Sequence, residues 1–293
     1  MTDLHCQRPG IIGTGRVALA LALALRRHAT EPPMLWGRSP ETARSAASRV
    51  GAVTEPGLDR LLAACDVIAI AVADDALTDV VSRLAAALPA GPSPFIFHVS
   101  GRSGAAALEP LGKTGAMVAA IHPAMTFTGD PESEVGRMAG ARFAITAATG
   151  EAIERARRVV ASLGGVAVEI AEERRALYHA ALCHASNHLV TLISGAAHGL
   201  ERAGVDDPAA LLAPLVRAAL DNSLTHGFAG LSGPLLRGDA QTISGHLETL
   251  GALSPDLLPA YRAMAAATID ELQRRETLPP DRLAALDSLL AVP

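Results

Sequence analysis

The stretch Gly10-Ile11-Ile12-Gly13-Thr14-Gly15-Arg16-Val17-Ala18 constrains this chain more than any other. A short apolar strand runs into a glycine turn and then into an Ala/Leu-rich helix. That is the order a dinucleotide-binding βαβ unit requires. Gly13 allows the tight turn, and Gly15 lets the backbone approach a pyrophosphate. Ala18 supplies the third small position, where helix and strand pack closely. N–H groups at the helix start face the phosphates, and the helix dipole favours their charge. Gly13, Thr14, Gly15, Arg16 and Val17 are therefore candidate cofactor-binding residues.

The rest of the composition sets limits on partners. Hydrophobic residues make up 49% and charged residues 19% of 293, ample material for a large core. Aromatics are only 3%, so Ala, Leu and Val must build it. Net charge is -5, with no basic block, which gives no electrostatic support for nucleic-acid binding. Cys6, Cys65 and Cys183 lack metal or redox spacing and suit a reducing compartment, so a cytoplasmic location is expected. The apolar run Val17 to Leu25 is too short for a membrane span and is followed by no small-residue cleavage site. It is read as the buried first helix, and neither secretion nor membrane contact is expected.

Short apolar runs alternate with helical stretches up to about residue 170. Expected strands are Pro9–Ile12, Met34–Trp36, Ala52–Thr54, Val67–Val72, Phe95–Val99, Met117–Ile121, Phe143–Thr146 and Val166–Ile170. Helical spacing marks Glu41–Val50, Leu77–Leu88 and Glu151–Leu163. Strands that are apolar throughout, separated by helices, predict a mostly parallel sheet covered on both faces. After Ile170 only helices are expected: Glu172–Ala203, Pro208–Leu220, Asp239–Leu250 and Pro255–Arg275. The predicted class is α/β, a doubly wound sheet domain over 1–170 followed by an all-helical domain over 171–293. So much apolar helical surface is expected to pack against a second copy as a homodimer.

Several residues stand where chemistry would be placed. The second strand ends Trp36-Gly37-Arg38-Ser39-Pro40. An acid there would bind a ribose 2′-OH, whereas Arg38 and Ser39 suit the 2′-phosphate of NADP. The fourth strand leads into Val72, Ala73 and Asp74, expected to border the cofactor, with Asp74 and Asp75 alternatively a helix cap. Ser100 and His122 follow the fifth and sixth strands, where nicotinamide and substrate would meet. Ser100 would bond a carbonyl or carboxylate, and His122 would donate a proton to a developing alkoxide.

On the long helix, His179, Cys183 and Asn187 recur one turn apart and lean toward one face. Asn187, expected to be buried among Ala and Leu, needs a partner that substrate would supply. His184 and His188 are also one turn apart, but Ala185 stands where a zinc-protease glutamate belongs, so no metal is expected. A last cluster runs from Ser232-Gly233-Pro234 through Arg237-Gly238-Asp239 to His246. Asp239 is expected to cap a helix, and Ser232, Arg237 and His246 to hold an anionic substrate.

Taken together, Gly13-Thr14-Gly15, Ser100-Gly101, His122-Pro123 with Thr126-Phe127, Ala185-Ser186-Asn187, and Ser232-Gly233-Pro234 through Arg237-Gly238-Asp239 to His246-Leu247 resemble a bacterial Rossmann-like family. Its C-terminal half is a domain of unknown function, DUF2520. The family usually has Thr where this chain has Ser232. It is similar to 6-phosphogluconate dehydrogenase, ketopantoate reductase and pyrroline-5-carboxylate reductase. The resemblance implies an NADP-binding Rossmann domain, a helical dimerisation domain and an active site in the cleft between them. In the dehydrogenase relatives a lysine one turn before the Asn gives the proton, and that position here is Cys183. Two functions are expected to compete. One is an NADP-dependent reductase of a small carboxylate-bearing ketone or imine, using Ser100, His122 and Asn187. The other is an NADPH-binding sensor that has lost catalysis.

Overall fold

The structure is a computed structural model, which describes residues 6–89, 91 and 93–291. The strands are β1 (Pro9–Ile12), β2 (Met34–Trp36), β3 (Val53–Thr54), β4 (Val67–Ile70), β5 (Phe95–His98), β6 (Val118–Pro123), β7 (Arg142–Thr146) and β8 (Val166–Glu169). They form one sheet in the order β3-β2-β1-β4-β5-β6-β7-β8. Every pairing is parallel except β6 with β7. The sheet is therefore doubly wound and mostly parallel, as expected.

Helices α1 (Arg16–Arg26), α2 (Pro40–Val50), α3 (Leu58–Ala64), α4 (Leu77–Ala87), α5 (Glu109–Gly112), α6 (Pro131–Met138) and α7 (Gly150–Ser162) connect the strands. Successive strand residues face opposite sides, and this builds two cores. Ile11, Phe97 and Phe143 belong to one, with Leu21 and Leu25 of α1. Ile12, Ile68, Ile70 and Ile96 belong to the other, with Leu61 of α3 and Leu84 of α4. The run Ala18–Leu25 is buried apart from Leu23, which makes it a core helix of the sheet domain. No helix among the described residues is long and apolar enough to cross a membrane.

The sixth strand departs from its expected span. It starts one residue later, at Val118, and continues through His122 and Pro123. The antiparallel partner explains the extension, because His122 pairs with Ala144 and Pro123 with Phe143. A reading built on parallel strands had no partner to hold those two residues. The sequence reading also passed over α3, α5 and α6.

After β8 the chain is helical, with a 3-10 turn at Glu172–Arg174 opening α8 (Arg175–Arg202). Then follow α9 (Pro208–His226), α10 (Pro234–Arg237), α11 (Ala240–Leu253), α12 (Leu258–Arg274) and α13 (Pro280–Leu290). No strand follows β8 among the described residues. Helix α13 was not expected from the sequence. The chain divides into two compact units, Met1–Cys183 and His184–Pro293, with the division inside α8. The second unit has its own core of Ile243, Leu247, Ile269, Leu272, Leu283 and Leu286.

Candidate functional site

The glycine turn fits a dinucleotide for two different reasons at its two glycines. Gly13 has φ +130°, a conformation L side chains rarely adopt, and a Cβ there would collide with the Ala71 carbonyl. Gly13 therefore lets the turn cross β4 closely. Gly15 serves the opposite need, since a Cβ built on it meets nothing within 4 Å. Space is kept open above the backbone, at the start of a helix. Gly15 is the N-cap of α1, with no side-chain cap and no acid in the first turn. The first N–H groups of α1 therefore remain available to an anion.

A groove of about 670 Å³ opens here, lined by Gly13, Thr14, Gly15, Arg38, Val72 and Ala73 among others. Arg38 and Arg83 also line an adjoining cavity of about 300 Å³, together with Arg44. Arg83 lies over the Trp36 ring at 5.0 Å. Trp36 is itself pinned by donating Nε1–H to the Pro56 carbonyl at 3.1 Å. Three guanidinium groups from three elements thus surround the end of β2, and among the described residues none is in an ion pair. Arg44 and Arg83 were not anticipated, because they reach the β2 end from α2 and α4.

Other expected cofactor residues are engaged elsewhere. The Ser39 hydroxyl caps α2 by accepting from Thr42 N–H at 3.3 Å. Ser-Pro at N-cap and N1 is a strong helix start, and the cap bond uses an oxygen lone pair while the hydroxyl proton can still be donated. Asp74 pairs with Arg102 at 3.2 Å, and neither it nor Asp75 caps the following turn. Arg16 donates Nη1–H to the Phe127 carbonyl at 3.1 Å. Val17 packs against the core of the sheet domain.

At the C-terminal ends of β5 and β6 lies a cluster of polar side chains. His98 is fully buried, and its Nε2 lies 2.8 Å from the Gly104 carbonyl. A carbonyl only accepts, so Nε2 carries the proton and Nδ1 accepts from Ser100 N–H at 3.1 Å. Burial holds His98 neutral, with its pKa lowered to about 4. The Ser100 hydroxyl, nearly buried, accepts from Ser103 N–H at 3.3 Å.

Arg175 ties this turn to the sheet. It is 1% exposed and donates to three carbonyls: Ser100 at 2.6 Å, Ser103 at 3.0 Å and Ala144 at 3.2 Å. Its guanidinium also lies over the Tyr178 ring at 5.6 Å. Tyr178 Oη is 2.9 Å from His122 Nδ1, with the two rings edge-on. The His122 ring also meets His179 edge-on at 5.7 Å. His179 Nε2 in turn lies 3.6 Å from Cys183 Sγ. Gly101 makes room for this stack, because a Cβ there would lie 2.9 Å from His122 Nε2.

Burial, then the charge of Arg175, lowers the His122 pKa to about 4. Burial raises the Tyr178 phenol, and Arg175 pulls against it. Tyr178 and Arg175 are residues of this cluster without a role in the sequence-based expectation, which placed His179 on the candidate face of the helix but gave it none. Their significance depends on β6 meeting the start of α8, and no local pattern announces that meeting.

Both depressed histidines carry a stability consequence. Their folded pKa values near 4 lie below the ordinary 6.5. The unfolded chain therefore binds more protons below pH 6.5, and stability falls as pH drops toward 4. Melting temperature measured across that window should decline as pH is lowered. A flat profile would show that neither ring is desolvated.

The remaining expected residues lie in the second unit. Asn187 is exposed rather than buried, and its Oδ1 accepts from the Ser186 hydroxyl at 3.2 Å. The Ala and Leu neighbours expected to enclose it are themselves largely exposed along α8, so its amide has solvent. His184 and His188 face each other with Nδ1 atoms 3.0 Å apart, also exposed. Arg237 donates to Asp239 at 2.9 Å. This bond draws the Asp239 carboxylate away from the expected cap of α11. His246 Nδ1 lies 2.8 Å from Tyr261 Oη, and Ser232 is exposed.

A larger cavity of about 1180 Å³ lies at the opposite end of the sheet, where β6 begins and β7 and β8 end. Several of its polar groups are already engaged. Lys113 pairs with Glu109, Thr149 caps α7, and Glu172 accepts from Ala106 N–H.

Comparison with known proteins follows this geometry. Residues 3–123 match a Rossmann-like domain, and residues 141–268 match DUF2520, a domain of unknown function. No curated protein sequence matches the chain. Among solved structures it is similar to a candidate NADP oxidoreductase from Bacteroides fragilis, at 20% identity and TM-score 0.74, covering 89% of this chain and 97% of that one. It is also similar to 1-pyrroline-5-carboxylate reductase from Streptococcus pyogenes, at 17% identity and TM-score 0.60, covering 97% and 98%. A reductive aminase from Aspergillus terreus solved with NADPH and ethyl levulinate matches at 18% identity and TM-score 0.64, covering 98% and 99%. At these identities the likeness concerns the fold.

Proposed function

We propose, from the premise that the chain belongs to the family joining a Rossmann-like domain to a DUF2520 domain, that it is an NADP-dependent oxidoreductase. Its substrate is a small carboxylate-bearing ketone or imine. The observation that carries this reading is the open glycine turn beneath an uncapped helix N-terminus, beside three arginines that have no ion pair among the described residues. The turn and the helix start would hold the pyrophosphate. Arg38, Arg44 and Arg83 would hold a 2′-phosphate.

The bound nicotinamide would supply hydride. Ser100, at the end of β5, would orient the substrate's polar group. His122, neutral across the physiological range, would sit beside the reacting atoms as a hydrogen-bonding partner rather than a cation. The protein has a single lysine, Lys113, paired with Glu109 away from this cluster. Lysine chemistry at the site is thereby excluded. The structures solved as an imine reductase, reductive aminase and pyrroline carboxylate reductase support a C=N or C=O reduction.

Exposed Val190, Leu211, Leu215 and Leu224 on α8 and α9 support association with a second copy.

The test is an NADPH titration followed by a screen of keto acids and cyclic imines for NADPH oxidation. Arg38→Asp should weaken NADPH by about 2 kcal/mol or more, since a like charge would face the 2′-phosphate. NADH affinity should change little. Equal losses for both nucleotides would remove the 2′-phosphate from Arg38. Tight NADPH binding with no oxidation across the screen would favour a sensor.

A further inference from the structure

We infer that Tyr178 gives the proton in this reduction, with His122 and Arg175 positioned to hold the phenolate it leaves. The inference rests on the oxidoreductase reading above. It starts from what a proton donor in this cluster must survive. After transfer, the donor's conjugate base must be stabilised where it stands.

Only Tyr178 has both a hydrogen-bond partner and a cation arranged for that. Its oxygen is 2.9 Å from His122 Nδ1, and the Arg175 guanidinium lies 5.6 Å from its ring. Arg175 has no carboxylate among its hydrogen-bond partners, all three of which are backbone carbonyls. Its charge therefore acts on the phenol, with the Glu172 carboxylate the one opposing charge near it among the described residues. The charged and titratable groups around the pair are Arg175 and His179 on the same helix, Glu172 in the turn before it, His122 on β6, and, beyond His122, His98 and Asp74. Asp74 is offset by Arg102.

The other candidates lack one of these supports. The Ser100 hydroxyl accepts from Ser103 N–H, and the Arg175 guanidinium beside it bonds the Ser100 backbone carbonyl rather than the hydroxyl. Neutral His122 is a poor acid by itself. Cys183 has only His179 beside it.

The step balances as follows. The substrate carbon takes a hydride from the nicotinamide, and its π pair moves to the ketone oxygen or neutral imine nitrogen. That atom takes the Tyr178 proton, and the O–H bonding pair stays on the phenolate. The substrate is reduced by two electrons and the nicotinamide oxidised by two. His122 donates from Nδ1 to the Tyr178 oxygen during the transfer. It then passes that proton to the phenolate while Nε2 takes one from water, leaving hydroxide to the solvent, and exchange with solvent returns the ring proton from Nε2 to Nδ1 for the next cycle. No partner for Nε2 occurs among the described residues, so the nitrogen is available for that exchange.

The chain's two tyrosines make a direct test simple. Tyr261→Phe leaves Tyr178 as the sole phenol, and its ionisation is read by absorbance at 295 nm. Adding His122→Phe removes the phenolate's hydrogen-bond donor and should move the midpoint up by about one pH unit or more. In parallel, Tyr178→Phe should cut single-turnover NADPH oxidation by about a hundredfold or more with NADPH affinity unchanged. An unshifted midpoint, or undiminished turnover in Tyr178→Phe, overturns this inference alone when wild type binds NADPH normally. Failure of wild type to bind NADPH overturns the oxidoreductase reading and this inference with it.

Discussion

A Gly15→Val variant should melt like the parent chain yet lose NADPH binding by about a hundredfold or more, roughly 2.7 kcal/mol. The asymmetry follows from where the added atoms go. Nothing lies within 4 Å of a Cβ on Gly15, so the folded protein has room for the side chain. That room is where the pyrophosphate must approach the backbone. Gly13→Ala is the contrasting control. Its Cβ would run into the Ala71 carbonyl from a φ of +130°, so the damage should appear in the melt before any ligand is added. Calorimetric titration and thermal melts of both variants read the two effects separately. Normal NADPH binding by Gly15→Val would remove the glycine turn from the cofactor site.

Arg175→Met should lower stability by about 3 kcal/mol or more. The substitution keeps volume but removes the donor from three carbonyls, at Ser100, Ser103 and Ala144, of which the buried Ser100 acceptor alone costs about 1–3 kcal/mol when left unpaired. Replacing a buried charge by an apolar group is often neutral when its partners are replaced too. Here the partners are backbone and cannot be. For a domain of this size the loss corresponds to roughly 6–12 °C in Tm. An unchanged Tm would mean that water reaches those carbonyls and that the arginine is dispensable for folding.

The parts of this molecule that were legible in the sequence are those whose cause is local. Pro9–Ile12 and Met34–Trp36 read as strands because apolar runs end sharply at glycines or prolines. The glycine turn read clearly because its three small residues act on their own backbone. At Ser39 two local signals overlap. Arginine beside it suggested phosphate and proline after it marked a cap, and the cap bond is formed with the hydroxyl as acceptor. The end of β6 was misplaced because its support comes from an antiparallel neighbour more than twenty residues on. The Tyr178–His122 pair was invisible for the same reason at longer range. Its two halves lie on different elements, and neither residue carries a local mark of the other. Asn187 shows a further limit, since helical periodicity assigns a residue to a face but not what covers that face.

The position of β1 in the sheet also dictates an order of events during synthesis. Its two neighbours are β2, which follows soon after it, and β4, where Pro9 sits opposite Val67. Until β4 has left the ribosome, β1 presents a bare row of N–H and C=O groups along a run of buried apolar residues. Closing that gap requires the whole intervening segment to be made, so the central pairing is long-range and forms late. The nascent chain thus carries its most aggregation-prone edge in the middle of the future sheet. Substitutions that slow α2 or α3 are expected to lower the yield of folded protein more than they lower its final stability.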